Sequence, residues 1–316
     1  MLDSLVQKFI ECKSVLIAGA GGGYDITGAM SLAPAFESAG IEVHYASLSF
    51  TPLDKIAAKK PVEDLPLYFV DSDNASESVY CPEAWLCRYI DNNYALKEMS
   101  VKKACVWCFE KCGVGTLRKS YEYIIEQTGV DGLVLLDGGI DLILKGNEAS
   151  LGTPEEDLTS LTALRKLPFK VKAIACIGFG TELKEGISHS QVLERISEIT
   201  ADGGLWGVES LFNSPLIMKS YKACIEFIFS HQPDLRQSRI HAGILQSVSG
   251  KFGGETKYSF ITPLMHLLWF FDLEVVAKSH VFIDFLENTS SAGDVTMHIH
   301  GLRKTSGRKE IKPLPW

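Results

Sequence analysis

The stretch VLIAGAGGGYDITGAM, Val15 to Met30, runs from a short apolar segment into a glycine cluster and then into a helix-forming segment. A parallel strand handing over to a helix has this form. The tight turn favours residues without a Cβ, and glycines let the backbone approach a ligand whose negative charge the helix N-terminus favours. The expected fold follows: α/β, with a mostly parallel Rossmann-like three-layer sheet, helices on both faces and a more helical C-terminal portion.

The cluster departs from the two common nucleotide-binding loops. Counting from Gly19 and Gly21, a dinucleotide fingerprint would place its third glycine at Tyr24; counting from Gly21 and Gly23, at Ile26. The second β-rich run ends in Ser47 and Ser49, without the acid that would take a ribose diol. No lysine followed by Ser or Thr lies in the loop, which excludes a P-loop. Gly19, Gly21, Gly22 and Gly23 are expected beside a phosphate or ribose. Asp25 has two compatible roles there, capping the helix or contacting ligand hydroxyls or a cation.

Working outward, β-rich runs occur at Ser14 to Ala18, Ile41 to Leu48, Leu67 to Val70, Ala104 to Phe109, Leu133 to Asp137 and Val171 to Ile177. Helical patterns alternate with them at Asp25 to Ala39, Pro82 to Met99, Thr116 to Thr128 and Pro154 to Leu167. Thr153 and Ser188 carry capping-box spacing, with Glu156 and Gln191 three residues on. Helices are also expected at Pro215 to Ser230 and Pro263 to Leu286, the second explaining the apolar run Phe260 to Phe271. One domain spans residues 1–316, with a core over about 14–200, a helical portion over about 201–300 and a frayed basic tail over 301–316.

The segment GLVLLDGGIDLILKGNEASLGTPEED, Gly132 to Asp157, carries the most chemistry. Asp137 closes a buried strand, and Gly138 and Gly139 open the turn at the carboxyl edge of the sheet, where doubly wound folds bind ligands. Asp141 and Glu148 follow. Carboxylates so placed can hold magnesium or divide into acid and base, so Asp137, Asp141 and Glu148 are the candidate catalytic residues, with Asp137 and Asp141 as candidate magnesium ligands. Asp157 falls in the first turn of a capped helix, where the macrodipole accounts for it. The run IACIGFGTEL adds Gly178, Gly180 and Glu182, and CGVGT adds Gly113 from a fourth loop. His189 is read as a surface histidine.

The 316 residues carry a net charge of −8, which argues against nucleic-acid or anionic-membrane adhesion. The N-terminal MLDSLVQKFIECK reads as an amphipathic helix rather than a signal peptide, and the longest apolar run is too short for a bilayer, so a cytoplasmic protein is expected. The eight cysteines read as reduced, mostly buried thiols; strand alternation sends Cys105 and Cys108 to opposite faces, and Cys112 lies near them without a fourth metal ligand.

Taken together, GAGGGYDITGA, Pro82-Glu83, Gly113 with Gly115, DGGIDLILKGNEASLGTPEED and GFGTEL resemble the family catalogued as domain of unknown function 1152, over about residues 14–185. In that family a fourth glycine stands where this chain has Tyr24, and Asp-Gly-Glu-Leu is common where it has Thr181-Glu182-Leu183. The resemblance implies a fold and a shared cleft and names no reaction. In outline the family is similar to the deoxyhypusine-synthase and sirtuin group of NAD-binding folds.

The leading expectation is an enzyme that hydrolyses, or transfers a group of, a nucleotide, NAD-like or sugar-phosphate ligand, with magnesium, NAD or another nucleotide as candidate cofactors. Carboxylates activate water or hold magnesium, whereas hydride transfer needs a nicotinamide or flavin site that the sequence does not display. An NAD(P)-dependent oxidoreductase or deoxyhypusine-synthase-like transferase is the second expectation, and a non-catalytic nucleotide sensor the third. The partner is a small molecule, and a homo-oligomer stays open.

Overall fold

Every residue of strand β1 (Ser14–Gly19) is buried, as in a strand covered on both faces. Its side chains divide by parity: Val15 and Ile17 enter one hydrophobic core, Leu16 and Ala18 a second. The structure, a computed structural model, describes residues 3–93, 103–256 and 259–314. The expected end of the helix beyond Asn93 lies outside the described residues.

The other strands are β2 (Glu42–Leu48), β3 (Leu67–Asp71), β4 (Cys105–Phe109), β5 (Gly132–Asp137), β6 (Val171–Ile177), β7 (Leu205–Ser210), the pair β8 (Gly253–Thr256) and β9 (Ser259–Ile261), and β10 (Leu267–Asp272). All but the β8–β9 pair form one sheet in the order β3-β4-β2-β1-β5-β6-β10-β7. The run from β4 through β6 is parallel. β3 joins one end antiparallel, and β10 is antiparallel to both β6 and β7.

Helices cover both faces. The first core takes α1 (Asp3–Lys8), α2 (Ala33–Ser38), α3 (Pro82–Asn92), α7 (Pro215–His231) and α8 (Arg239–Val248). The second takes α4 (Val114–Thr128), α5 (Pro154–Arg165), α6 (His189–Ala201), α9 (Leu273–Ser279), α10 (Ile283–Leu286) and α11 (Ala292–Thr305). This is the expected three-layer α/β architecture.

Four local expectations are corrected. Residues 267–272 form a strand where a helix was expected: Phe270 enters the first core and Phe271 the second. A strand buried on both faces reads as an unbroken apolar run, which periodicity cannot tell from a buried helix. The helix expected over Asp25 to Ala39 is a 3-10 segment, Asp25–Ser31, followed by α2. Pro34 in the first turn of α2 forbids a continuous α-helix, because its ring would meet the carbonyl four residues back.

Neither Thr153 nor Ser188 caps with its side chain. Thr153 instead gives its backbone N–H to Asp141 Oδ2 at 3.1 Å, and Gln191 accepts from Ala149 N at 3.1 Å. The tail is not frayed at its start, since residues 301–305 complete α11. Beyond it Lys309 Nζ meets Glu198 Oε1 at 2.8 Å and Lys309 N donates to Asn147 O at 2.7 Å. Residues 315–316 lie outside the described residues.

Candidate functional site: an acidic cleft at the strand switch

From β1 the chain steps to β2 on one side, and from β5 to β6 on the other. The direction of winding therefore reverses between β1 and β5, the place where open α/β sheets leave a crevice at their carboxyl edge. Asp137 is the last residue of β5, and Asp25 lies just past the glycine turn that follows β1. Gly22 and Gly23, at φ of 92° and 66°, supply the left-handed turn that returns the chain toward the sheet.

Asp25 does not cap the segment it begins. Its Oδ2 reaches back to accept the N–H of Gly21 at 2.8 Å, and Tyr24 occupies the cap position. The Tyr24 ring turns away into the first core, edge-on to Tyr80 and Phe229. His241 Nε2 lies 3.1 Å from Tyr24 O and 3.1 Å from Thr27 Oγ1, with Tyr221 Oη 2.7 Å from its Nδ1. That network fixes the far side of the turn, so its near side faces the cleft.

A third carboxylate arrives from α5. Asp157 opens a stretch of that helix, residues 157–164, that is buried all round, and Ser160, one turn on, donates to Ala20 O at 2.8 Å, pinning α5 to the glycine turn. Carboxylate oxygens of Asp25, Asp137 and Asp157 all lie within 4.8 Å of one another. The three residues are 8%, 3% and 3% exposed. Glu182, 7% exposed, closes the cleft from the loop after β6, where its Oε1 accepts the N–H of Ile140 at 2.9 Å. Asp141 stands partly exposed at the mouth. The space between them measures about 290 Å³.

Burial dominates the electrostatics. It pushes the Asp25 carboxyl up to about 7 against the pull of the Gly21, Gly138 and Gly22 N–H groups, with the Asp141 charge adding to the rise. Asp141 rises to about 6, mainly through loss of water around its carboxyl. Asp137, Asp157 and Glu182 are held well above the ordinary carboxylate range, first by burial and then by the Asp141 charge. Such crowding favours shared protons or a bound cation. Asp157 Oδ1 and Glu182 Oε2 are buried with no hydrogen-bond partner among the described residues.

The expected residues divide. Asp25, Asp137, Asp141, Glu182, Gly21, Gly22 and Gly138 line the cleft. Gly19 and Gly139 support it, pressed against Asp25 and Glu182 respectively. Gly178 and Gly180 shape the β6 loop, and Gly180 packs on the half-buried ring of His189, which is not a free surface histidine. Gly113 lies elsewhere, abutting the backbone of Thr289, Ser290 and Ser291.

Glu148 also lies outside the cleft. Although 2% exposed, it accepts the N–H groups of Lys145 at 2.8 Å and Gly146 at 2.9 Å, closing its own loop. Ser49, just past β2, is held by an acid from another element: Glu83, from α3, accepts from Ser49 Oγ at 2.6 Å and Thr51 Oγ1 at 2.7 Å, while Ser47 Oγ donates to Leu48 O at 3.0 Å.

The structure adds Asp157, Glu156, Phe50, Arg236 and Arg239 to the lining. No helical periodicity marks Asp157 in the sequence, because every residue of α5 from 157 to 164 is buried and the helix shows no single apolar stripe. The two arginines are exposed, and Arg239 Nη2 reaches Glu185 Oε1 at 2.8 Å. A neighbouring cavity of about 340 Å³ shares Thr153 and Glu156 with the cleft and continues over Leu48, Cys112 and Val295. None of the eight cysteines, all of which lie among the described residues, is in a disulfide.

Residues 88–306 match the profile of the family described as protein of unknown function (DUF1152). The chain belongs to that family. The match takes in Asp137, Asp141, Asp157 and Glu182 and starts downstream of the glycine turn, so the family region contributes the β5, α5 and β6 walls of the cleft. It also runs to residue 306, well past residue 185, where the resemblance carried by the sequence motifs ends. No curated protein and no solved structure matches the chain, so the outline likeness to deoxyhypusine synthase and the sirtuins has no matched structure behind it. Among the described residues no helix is long and apolar enough to cross a membrane.

Proposed function

We propose that this chain is an enzyme acting on a phosphorylated small molecule, of nucleotide, NAD-like or sugar-phosphate type, by hydrolysis or group transfer in the cleft between β1 and β5. The observation that carries the reading is the convergence of Asp25, Asp137 and Asp157, from three separate segments, at the point where the sheet reverses its winding. Three buried acids in contact are costly to a fold, and a reaction that uses them explains their presence.

The neighbouring groups support the same chemistry. A carboxyl held protonated donates to a leaving group, and one left ionised takes a proton from water or from an acceptor hydroxyl. Arg236, exposed on the lining of the cleft, offers an anionic substrate one positive group, while Arg239 on the same lining is paired with Glu185. Phe50 and the adjoining cavity leave room for the part of the substrate that does not react.

The test is incubation of purified protein with a panel of nucleotides, dinucleotides and sugar phosphates, followed by product identification by mass and phosphate assay. Turnover lost in Asp137→Asn supports the proposal. A ligand that raises the melting temperature and is recovered unchanged overturns it in favour of a sensor; a change in reduced-cofactor absorbance overturns it in favour of an oxidoreductase.

A further inference from the structure

We propose that Asp25, Asp137 and Asp157 hold one hard divalent cation, of the magnesium or manganese type, in the floor of the cleft. This extends the reading of the cleft as an active site, and its test measures binding alone.

The geometry suits a single ion. Two oxygens on opposite sides of a divalent ion stand about 4 Å apart for magnesium and about 5 Å for calcium, from metal–oxygen lengths of about 2.1 and 2.3–2.6 Å. Carboxylate oxygens from the three residues already lie within 4.8 Å of one another, so small side-chain rotations bring them onto one centre. Each carboxylate comes from a different anchored segment: the turn after β1, the end of β5, and the first turn of α5. The donor set is oxygen only, which selects a hard cation over zinc or copper.

Two further atoms point to the same occupant. Asp157 Oδ1 belongs to a side chain only 3% exposed and has no hydrogen-bond partner among the described residues. Glu182 Oε2, on a side chain 7% exposed that lines the same cleft, is in the same state. A buried acceptor without a donor is an exception that calls for an occupant. With three protein oxygens supplied, the remaining coordination positions fall to water and to substrate oxygens, as is usual for magnesium in phosphate chemistry.

The experiment is a Mn²⁺ titration followed by electron paramagnetic resonance on the full chain, with Asp157→Asn and, as a control, the exposed Glu126→Gln. The expected result is one Mn²⁺ per chain, with affinity at least tenfold weaker in Asp157→Asn and unchanged in Glu126→Gln. Melting adds a second readout. Asp157→Asn should melt above the wild type in EDTA, where a crowded charge is removed, and below it in saturating Mn²⁺. If Asp157→Asn does not fold, Asp25→Asn takes its place in the titration.

Wild-type protein that takes up no Mn²⁺ at millimolar concentration overturns the site, as does equal affinity in the aspartate variant and the control. Cation binding without turnover of any panel substrate counts against the enzyme reading and leaves the site standing. Turnover without cation binding does the reverse.

Discussion

Gly21 and Asp157 are in contact: a Cβ added to Gly21 would lie 2.5 Å from Asp157 Oδ1 and 3.0 Å from Asp25 Oδ2. The bare backbone at residue 21 is what allows the turn after β1 to rest on two of the three central carboxylates. Gly21→Ala must push Asp157 or Asp25 aside. Overpacking of this kind costs about 1–3 kcal/mol, and the displaced carboxylates should lower turnover and Mn²⁺ affinity at least tenfold. Calorimetric melting together with the titration checks both; a variant that keeps full affinity would show that the contact does not position the acids.

Asp137→Asn and Glu148→Gln should separate function from structure. Asp137→Asn removes a charge from a crowded cluster, so folding is retained while turnover falls by a factor of about 10² or more, the usual range for a lost acid or base. Glu148→Gln turns one acceptor of two backbone N–H groups into a donor and should cost about 1–3 kcal/mol of stability, leaving turnover per folded molecule within a few-fold. Urea unfolding and steady-state rates on both variants decide. Equal loss of turnover in the two would put Glu148 back among the reacting groups.

His280 should give the protein a measurable acid sensitivity. Its ring is buried, and burial, then the Arg195 charge, lowers its pKa from the ordinary 6.5 to about 3. Phe282 N donates to its Nδ1 at 3.1 Å, which requires the neutral ring. Below pH 6.5 the unfolded chain therefore binds a proton that the folded chain refuses. Stability is fully present above pH 6.5 and falls as pH drops toward 3, by about 1 kcal/mol per pH unit in the middle of that window. Asparagine keeps an acceptor and does not titrate, so the stability difference between wild type and His280→Asn should shrink from pH 7.5 to pH 5. Urea melts at the two values measure it, and the carboxylates common to both proteins cancel in the difference; a gap that does not change with pH removes His280 from the account.

Arg303 is the strap on the loop after β5. Its guanidinium donates to the carbonyls of Gly146 at 3.1 Å, Glu148 at 2.9 Å and Ala149 at 3.0 Å. Arg303→Ala should raise amide exchange over residues 145–153 well before it raises exchange in β5 or β6, because only local opening is eased. Hydrogen exchange read by mass spectrometry tests this; uniform acceleration across the sheet would mean that the strap holds the whole fold.

What the sequence displayed followed from how local each signal is. The glycine turn after Ser14–Gly19 and the acid closing Gly132–Asp137 are strand-end features, written within a few residues, and the structure places both at the cleft. Asp157 was hidden because a carboxylate in a helix's first turn already has a local explanation in the macrodipole. Its real neighbours come from segments more than a hundred residues upstream and from the end of β5. Glu148 is the converse case: its spacing matches a ligand cluster, while the partners that hold it outside the cleft, the N–H groups of Lys145 and Gly146, leave no trace in a sequence.

The placement of β10 has a consequence for the chain as it is made. Among the described residues β7 meets the sheet only through β10, which lies between it and β6, and a ribosome completes Leu205–Ser210 before it has begun Leu267–Asp272. Through that interval β7 has no strand partner among the described residues, though Ser4 meets it at Glu209, and the outer side of Val171–Ile177 is a bare edge open to any extended segment nearby. A nascent chain stalled or cut between the two strands would carry that adhesive edge with it, so safe release depends on the arrival of one aromatic strand, LLWFFD.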